Sequence, residues 1–342
     1  MNELSNNFKD FNFRDAKDKL NEDSKFIDLA IYFMARKERQ ITVSSFAVYY
    51  EKLKNHIIPF FGQMIISEIE TYDLEDFIRE LETKYSESVI DSLRILVTQI
   101  VNFAKTLGIQ VNEMEKIKIR SMVKTKKVEI FNDEEVQRLK NVKTTFEKLL
   151  FNVLFDTGVR IGECCGLKFS DIDMQRREIS IERQVQAITL PGNNHINVGL
   201  PKSKSGIRKI PMTINLYLLL EEVEEDLKTK KLSFEKLSEH FFFNYFFYND
   251  ISKSTELALI EEVDVLEPRS MRYRYDAQLK RLGIPKRKFH STRHTFATKL
   301  VKATNDYKAC SKVLGHKNTE ITINTYVHTN EEDIKNVIKN LN

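Results

Sequence analysis

The sequence is poor in the residues that mark disulfide-bonded and disordered proteins. Its 342 residues include three cysteines, six prolines, ten glycines and no tryptophan. Two of the cysteines, Cys164 and Cys165, are adjacent, and neither a CxxC motif nor a His/Cys cluster at metal-ligand spacing occurs. A disulfide framework and a structural metal site are therefore excluded, and a reducing, cytoplasmic location is predicted.

Long hydrophobic runs are also missing. No segment reaches the roughly 18 apolar residues that suggest a membrane-spanning helix, and the first residues lack the apolar core of a signal peptide. No membrane partner is expected. The rest of the composition is typical of a globular protein, with 41% hydrophobic and 30% charged residues. The net charge of +4 says little about partners by itself, and the length is sufficient for two domains.

The first third of the chain shows helical periodicity. Apolar residues recur at i, i+3, i+4 and i+7 in four stripes, which begin at Phe26, Val43, Leu74 and Val89. Pro59 and Gly62 are expected to separate the second helix from the third stripe. The pattern predicts a short N-terminal tail over residues 1–22 and a helical domain over residues 23–114.

A basic segment comes next and is predicted to be an interdomain linker over residues 115–129. Its cations are Lys116, Lys118, Arg120, Lys124, Lys126 and Lys127, without a clean apolar stripe among them. Two interpretations stay open. The run is either a solvated surface strand or a segment that lies along a phosphate backbone.

The second domain is predicted over residues 130–330. It opens with a helix-start signal at Asn132, after which acidic residues occur. Short strands are indicated at residues 178–182, 195–199 and 207–212, with Lys204 in the turn between the last two. The rest reads as helical. Together the two halves predict a mainly α protein, in which the second domain is mixed, mostly helical, and carries a small three-stranded antiparallel sheet.

Two further segments stand out in this half. The aromatic run from Phe241 to Tyr248 suits a hydrophobic core or subunit packing better than stacking on bases. The last residues, 331–342, have a helix-like apolar face.

Cationic residues in five short motifs have the chemistry of a phosphate site. The motifs are Thr157–Glu163, Lys202–Gly206, His290–His294, Leu314–His316 and Asn324–Tyr326. Arginines such as Arg160 and Arg293 bind two phosphate oxygens at once and stay charged, and Glu163 lies one helical turn after Arg160. Each residue alone also has a plain structural explanation, such as a surface arginine or a solvated hairpin lysine. For the lysine, Lys204 is preferred, and Lys202 stays an alternative.

In this order and context, the motifs resemble those of the tyrosine recombinases, the integrase-type site-specific DNA recombinases. The matching stretches are Thr157 to Glu163, Lys202 to Pro211, His290 to Thr298, Leu314 to His316, and Tyr326. The first domain resembles the core-binding domain of that family, notably over Tyr50 to Gly62. Only about 22 residues precede this domain, so binding to arm-type DNA sites through a separate N-terminal domain is not expected.

The resemblance implies a role for each motif residue. Tyr326 attacks the scissile phosphate to give a 3′-phosphotyrosyl enzyme. Arg160, Arg293 and His316 stabilise the transition state, Lys204 protonates the leaving 5′ oxygen, and His290 assists as hydrogen-bond donor or proton shuttle. Glu163 supports Arg160. No cofactor is implied.

The resemblance also implies partners. These are duplex DNA at specific core sites, a homotetramer on two DNA sites, and as a further candidate an accessory directionality or DNA-bending factor. The cations expected to contact DNA are those of the linker (Lys116, Lys118, Arg120, Lys124, Lys126, Lys127), Lys202 and Arg208 near the hairpin, and Lys286, Arg287 and Lys288 before His290. Residues 331–342 either pack on a neighbouring protomer or fold back on their own domain.

Integration and excision of a mobile element is the predicted function. A chromosome-dimer resolvase and an inversion enzyme are alternatives within the same family. A type IB topoisomerase shares the chemistry but does not depend on a particular site, and a DNA-binding protein without catalysis forms no covalent intermediate.

Overall fold

The structure of the protein is a computed structural model that describes residues 20–115, 117–123, 129–190, 193–201, 203–251 and 265–326. At residues 193, 194, 250, 251, 321 and 324–326 only the backbone is described. The chain divides into two compact units. The first holds the described residues up to 123 together with residues 188–190 and 193–194, and the second holds the others. Within the described ranges, no helix has both the length and the apolar character needed to cross a bilayer.

The first unit is helical, as its four apolar stripes predict. Its α-helices are α1 (Phe26–Glu38), α2 (Val43–Lys52), α3 (Ile58–Phe61), α4 (Thr71–Glu82) and α5 (Glu87–Lys105). Their apolar faces meet in one core around residues such as Leu29, Leu53 and Phe77. Val43 and Val89, which the stripes place inside, are 48% and 39% exposed, because each lies in the first turn of its helix, away from the core.

The expected break at Pro59 does not occur. A π-helical turn, Leu53–Ile57, joins α2 to α3, and the Ile58 N–H donates to the Leu53 carbonyl five residues earlier. This wider turn accommodates the proline ring, which would clash with the carbonyl four residues before it in a regular α-helix. The helical run ends at Gly62 instead.

The described part of the basic segment, residues 117–123, lies on the first unit. Ile117 and Ile119 pack against its core, whereas Lys118 and Arg120 are exposed. The Arg120 N–H donates to a carboxylate oxygen of Glu82 at 2.7 Å. The apolar alternation that was not expected here is therefore present, and it directs these two cations outwards.

The second unit is mostly helical with two small sheets. Its α-helices are α6 (Asp133–Lys140), α7 (Thr145–Thr157), α8 (Ile161–Cys165), α9 (Ile214–Thr229), α10 (Phe242–Ile251), α11 (Pro268–Arg281), α12 (His290–Thr304), α13 (Tyr307–Leu314) and α14 (Thr319–Tyr326). The strands of this part of the chain are β1 (Ile172–Asp173), β2 (Glu178–Ile181), β3 (Gln184–Leu190), β4 (Asn193–Gly199) and β5 (Arg208–Pro211). Residues 188–190 of β3 and 193–194 of β4 are counted in the first unit. The predicted helix start at Asn132 is confirmed by a capping box with Glu135.

The three-stranded antiparallel sheet is confirmed, but one of its strands differs from the expectation. Its order is β1–β2–β5, and Ile179 of the central strand pairs with Ile172 on one side and Ile210 on the other. The strand predicted at residues 195–199 is part of β4, which pairs with β3 in a separate two-stranded sheet. The main sheet takes β1 instead, because burying Ile172 beside Ile179 and Ile210 extends the core.

The aromatic run belongs to the core of the second unit, as expected. Phe241, Phe242, Phe243 and Phe246 are buried. Phe169 lies among the rings of Phe234, Phe242, Tyr245 and Phe246, with ring centroids 5.0 to 6.0 Å apart. These buried rings support the elements that carry the candidate site.

Candidate functional site

Arg160 stands at the N-terminus of α8 and is held by Glu163. Its backbone N–H donates to Glu163 Oε2 at 2.9 Å, and its Nη1 donates to Oε1 at 2.7 Å. The Glu163 side chain is 1% exposed, whereas that of Arg160 is 39% exposed. Burial by itself would raise the pKa of Glu163, but hydrogen bonds and the charges of Arg208 and Arg160 outweigh it and lower that pKa. Glu163 is therefore an anion that orients Arg160 at the surface.

Arg293 lies on α12 and joins three segments of the second unit. Its side chain is buried, its Nη1 donates to the Gly158 carbonyl at 2.8 Å, and its Nη2 donates to the Leu314 carbonyl. Gly158 ends α7 with φ of +62°, and a Cβ at this position would lie 2.4 Å from the Phe296 ring. Only glycine thus allows α12 to approach α7 this closely.

His290 is the first residue of α12, one helical turn before Arg293. Its ring makes an edge-to-face contact with His294, with centroids 4.8 Å apart. Desolvation first, and then the neighbouring His294, Arg293 and Arg160, lower the pKa of His290 to about 4. The residue remains more than a third exposed, so solvent moderates this effect. At neutral pH the imidazole is uncharged and can accept or donate a proton.

His316 comes after the turn that ends α13. Its Nδ1 lies 2.8 Å from the Thr322 hydroxyl of α14, which fixes the orientation of the ring. Desolvation, together with the smaller effect of the charges of Arg293, Arg160 and Arg208, lowers the pKa of His316 to about 4. His316 therefore lies within electrostatic reach of three arginines from three different segments.

Lys204 is exposed in a 3-10 turn, Lys204–Gly206, between β4 and β5. This turn lies against the segment before His316, because a Cβ on Gly315 would be 2.8 Å from the Ser205 carbonyl oxygen. The two strands that flank the turn belong to different sheets, unlike the predicted hairpin. Lys202, the alternative, lies outside the described residues.

Tyr326 is the last residue of α14, which packs on α12 and α13. Only its backbone is described, so the position of its hydroxyl stays a prediction.

A cavity of about 650 Å³ opens beside Arg160 and His290. Cations from two segments line it, namely Arg272 of α11 and the predicted Lys286, Arg287 and Lys288. Asp276 also lines it and lies 3.4 Å from the Lys286 ammonium. Arg272 was not among the residues predicted from the sequence. Its i, i+3 spacing from Arg269 on a basic helix could have indicated a cationic face. The site as a whole can bind an anion such as a phosphodiester.

The residues predicted to contact DNA fall into three groups. Lys118, Arg120, Lys286 and Lys288 are exposed. Arg208 and Arg287 are not, because their side chains are 5% and 12% exposed and both form ion pairs, Arg208 with Glu163 and Arg287 with Glu135. These ion pairs hold both arginines against the second unit, and Arg287 also lines the cavity. Lys116, Lys124, Lys126, Lys127 and Lys202 lie outside the described residues.

Comparison with known proteins places this site in a family. The model of the phage integrase family matches residues 129–333. The model of the phage integrase N-terminal SAM-like domain matches residues 25–81. The chain belongs to the phage integrase family. The resemblance to tyrosine recombinases and the predicted fold class are thereby confirmed.

Relatives of this phage integrase family member carry names of mobile elements and of a recombinase. A tyrosine recombinase XerC-like protein of Caldanaerobacter subterraneus subsp. tengcongensis is 33% identical over 63% of the chain and 54% of its own length. The transposase from transposon Tn916 of Enterococcus faecalis is 28% identical over 59% of the chain and 47% of its own length. The chain thus spans about half the length of both proteins. The ICEBs1 integrase of Bacillus subtilis is 25% identical over 82% of the chain and 73% of its length.

Solved structures share the fold. The Tn1549 transposon integrase in complex with transposon right end DNA superposes with a TM-score of 0.66 at 17% identity, covering 93% of this chain and 99% of that one. A lambda integrase dimer bound to a core site superposes with a TM-score of 0.56 at 15% identity, covering 88% and 94%.

Proposed function

We propose that this phage integrase family member is a site-specific DNA recombinase that cuts and rejoins duplex DNA through a 3′-phosphotyrosyl intermediate. One observation carries the proposal. Arg160, His290, Arg293 and His316 come from three separate motifs and lie within electrostatic reach of one another. Helix α14, which ends at Tyr326, packs on the two helices nearest to them. Such a cluster is suited to neutralise the charge of a phosphate. The packing of α14 supports Tyr326 as the residue that attacks this phosphate.

In the proposed reaction the Tyr326 oxygen attacks the scissile phosphorus. A bond forms between this oxygen and phosphorus, and the bond from phosphorus to the 5′ oxygen breaks. The arginines and His316 stabilise the charge that builds up on the non-bridging oxygens. Lys204 supplies the proton that the 5′ oxygen takes up, and the neutral His290 accepts or relays the tyrosine proton. The 5′-hydroxyl of a partner strand then reverses the step, so the phosphodiester energy is conserved.

Burial first, and then the charges of nearby groups such as Arg160 and Arg293, lower the pKa values of His290 and His316. A phosphodiester in their midst offsets these charges and raises both pKa values. Binding of DNA therefore makes both imidazoles more basic, which suits His290 to take up or relay the tyrosine proton.

The exposed cations extend the proposed DNA contacts beyond the reacting phosphate. Lys286, Lys288 and Arg272 line or border the cavity beside Arg160, and Lys118 and Arg120 project from the first unit. Each is suited to a phosphate of the DNA backbone. Lys116, Lys124, Lys126, Lys127 and Lys202 remain in this proposal on the strength of the sequence.

The element served is proposed to be a mobile one, and the acting species a tetramer on two DNA sites. The names of the transposon and ICEBs1 relatives support this assignment over chromosome-dimer resolution or inversion. A topoisomerase-like activity predicts relaxation of a supercoiled plasmid that lacks any specific site. Cleavage that depends on a specific site would argue against this activity.

The first test is for a covalent adduct. Purified protein and the Tyr326→Phe variant are incubated with DNA that flanks the gene, and denaturing gels are run for protein–DNA adducts. We expect an adduct with the unaltered protein and none with Tyr326→Phe, because only the phenol oxygen can form the ester.

The matched control is Tyr273→Phe, which changes a tyrosine of the same unit that is 75% exposed. This variant should form the adduct normally. An adduct that still forms with Tyr326→Phe would show that Tyr326 is not the nucleophile. Tight binding without any adduct of the unaltered protein argues for DNA binding without catalysis.

A further inference from the structure

Arg208, at the start of β5, is buried in a network of hydrogen bonds although its sequence context suggested a DNA contact. Its Nη2 lies 3.0 Å from Glu163 Oε2 and its Nη1 lies 3.2 Å from Oε1. Its Nε donates to the Val313 carbonyl at 2.7 Å, and its Nη1 also donates to the Gly206 carbonyl at 2.9 Å. With the side chain only 5% exposed, the guanidinium faces protein groups rather than solvent.

Each acceptor of Arg208 belongs to a different segment of the candidate site. Glu163 holds Arg160 through its backbone and its guanidinium. Gly206 closes the 3-10 turn that begins with Lys204. Val313 lies three residues before His316 at the end of α13. A Cβ on Gly315 would meet Arg208 Nη1 at 3.0 Å, so this segment rests directly on the guanidinium.

We propose that Arg208 is a positioning residue, which sets Arg160, Lys204 and His316 relative to one another without contacting the phosphate. The inference rests on the proposed recombinase function. Arg208 then acts on the reaction indirectly, through the residues that it holds, and is not one of the residues that bind DNA.

The chemistry of arginine explains why this position needs that side chain. The planar fork satisfies both oxygens of Glu163 while other N–H groups reach two carbonyls in different directions. A lysine ammonium cannot span all these acceptors from one point. Arg208 also balances the buried charge of Glu163, so that Arg160 is not the sole partner of this carboxylate and keeps part of its guanidinium at the surface.

The test compares Arg208→Ala and Arg208→Lys with Lys209→Ala. Lys209 is the adjacent residue on β5, its side chain is 56% exposed, and its ammonium lies 3.8 Å from a carboxylate oxygen of Glu178. The substrate is a nicked duplex built on the position at which the unaltered protein cleaves. Two quantities are measured, the dissociation constant for this duplex and the single-turnover rate of adduct formation at saturating duplex.

We expect Arg208→Ala to lower the cleavage rate by about 100-fold or more and to change the dissociation constant by less than about threefold, since the defect lies in the transition state. Arg208→Lys, which keeps the charge, should lose about tenfold because one ammonium cannot replace the fork. Lys209→Ala should cleave like the unaltered protein.

A double variant separates positioning through Glu163 from a general loss of structure. Glu163→Gln removes the anion through which Arg208 acts on Arg160. Combined with Arg208→Ala, it should lower the cleavage rate clearly less than the product of the two single effects, because both changes break one network. Fully multiplicative losses would overturn the inference.

Two other outcomes would also overturn it. One is an Arg208→Lys variant that cleaves at the unaltered rate. The other is an Arg208→Ala variant that cleaves normally at saturation but binds DNA more weakly and with a smaller salt dependence, which is the behaviour of a phosphate contact. If the unaltered protein forms no adduct with any DNA, the recombinase function fails and not merely the role of Arg208.

Discussion

At the scale of the residue, the site holds its arginines through two kinds of acceptor. The carboxylate of Glu163 is shared by Arg208 and Arg160. The guanidinium of Arg293 donates to the carbonyl oxygens of Gly158 and Leu314, which fix its orientation. The residue types and spacing predicted the candidate side chains, and their roles stay predictions. They did not predict that Arg208 and Arg287 point inwards, because both depend on carboxylates distant in sequence.

Removal of one arginine of the site should affect chemistry more than binding. We expect Arg160→Ala to lower the cleavage rate at saturating DNA by about 10²- to 10³-fold, as for loss of one donor to a developing charge. The dissociation constant should change little because Arg160 meets one phosphate among many. Arg269→Ala, which removes a side chain that is 80% exposed on α11, is the control and should cleave normally. Equal rates for the two variants would refute the role of Arg160.

The histidines should make the fold sensitive to mild acid. The pKa of His316 is about 4 in the folded protein and 6.5 as the ordinary value, so the unfolded chain binds a proton first as the pH falls. Its contribution is therefore fully present above pH 6.5 and is lost between about 6.5 and 4.

Urea unfolding at several pH values in this window measures the effect. The free energy of unfolding should decrease as the pH is lowered. In His316→Gln, the slope of this free energy against pH should be smaller by up to about 1.4 kcal/mol per pH unit. An unchanged slope in this variant would show that His316 does not titrate as the structure indicates.

At the scale of the element, the site is assembled from the ends of short segments. Arg160 is the N-cap of α8, His290 begins α12, His316 comes after α13, and Lys204 begins a 3-10 turn. Periodicity predicted the long helices because each buries one face. It misjudged the run through Pro59, where a π turn compensates for the proline, and it did not identify β1, whose two residues are too few for a period-2 pattern.

The turn at Gly315 allows a test of how closely these elements must approach. Gly315 and Gly283 have φ of +66° and +65°, but a Cβ would meet the Ser205 carbonyl oxygen at 2.8 Å only at Gly315 and nothing within 4 Å at Gly283. Gly283→Ala should cost about 1–2 kcal/mol of unfolding free energy from backbone strain alone.

Gly315→Ala should cost more than its control and should also lower the cleavage rate, since the segment before His316 must shift away from the Lys204 turn. Urea unfolding and single-turnover cleavage measure the two effects. Similar losses of unfolding free energy in both variants, with normal cleavage in Gly315→Ala, would contradict the close approach.

At the scale of the whole molecule, both compact units are proposed to contribute to DNA binding. The second brings together the four described motif residues, and each unit presents exposed cations, Lys118 and Arg120 on the first and Lys286 and Lys288 on the second. The small net charge of +4 hides this distribution. Affinity for DNA should therefore depend on local cations rather than on overall charge.

Salt dependence tests these cations. Lys118→Ala and Lys286→Ala should each weaken DNA binding and reduce the slope of log affinity against log salt by about 0.9, the value for one phosphate contact. Cleavage at saturating DNA should stay normal. Lys228→Ala is the matched control, because Lys228 is 51% exposed and pairs with Glu225 on a helix rich in acids. A control variant with the same loss of slope would point to a nonspecific charge effect.

The sequence by itself determined the family, the mainly α fold and the residues Arg160, Lys204, His290, Arg293, His316 and Tyr326 as candidates. It could do so because short motifs and apolar periodicity are local properties. Only the tertiary structure decided the strand partners of the sheet, the cavity with Arg272, and the inward positions of Arg208 and Arg287. These depend on contacts between residues far apart in the chain, where burial of a charge selects a partner that no local pattern specifies.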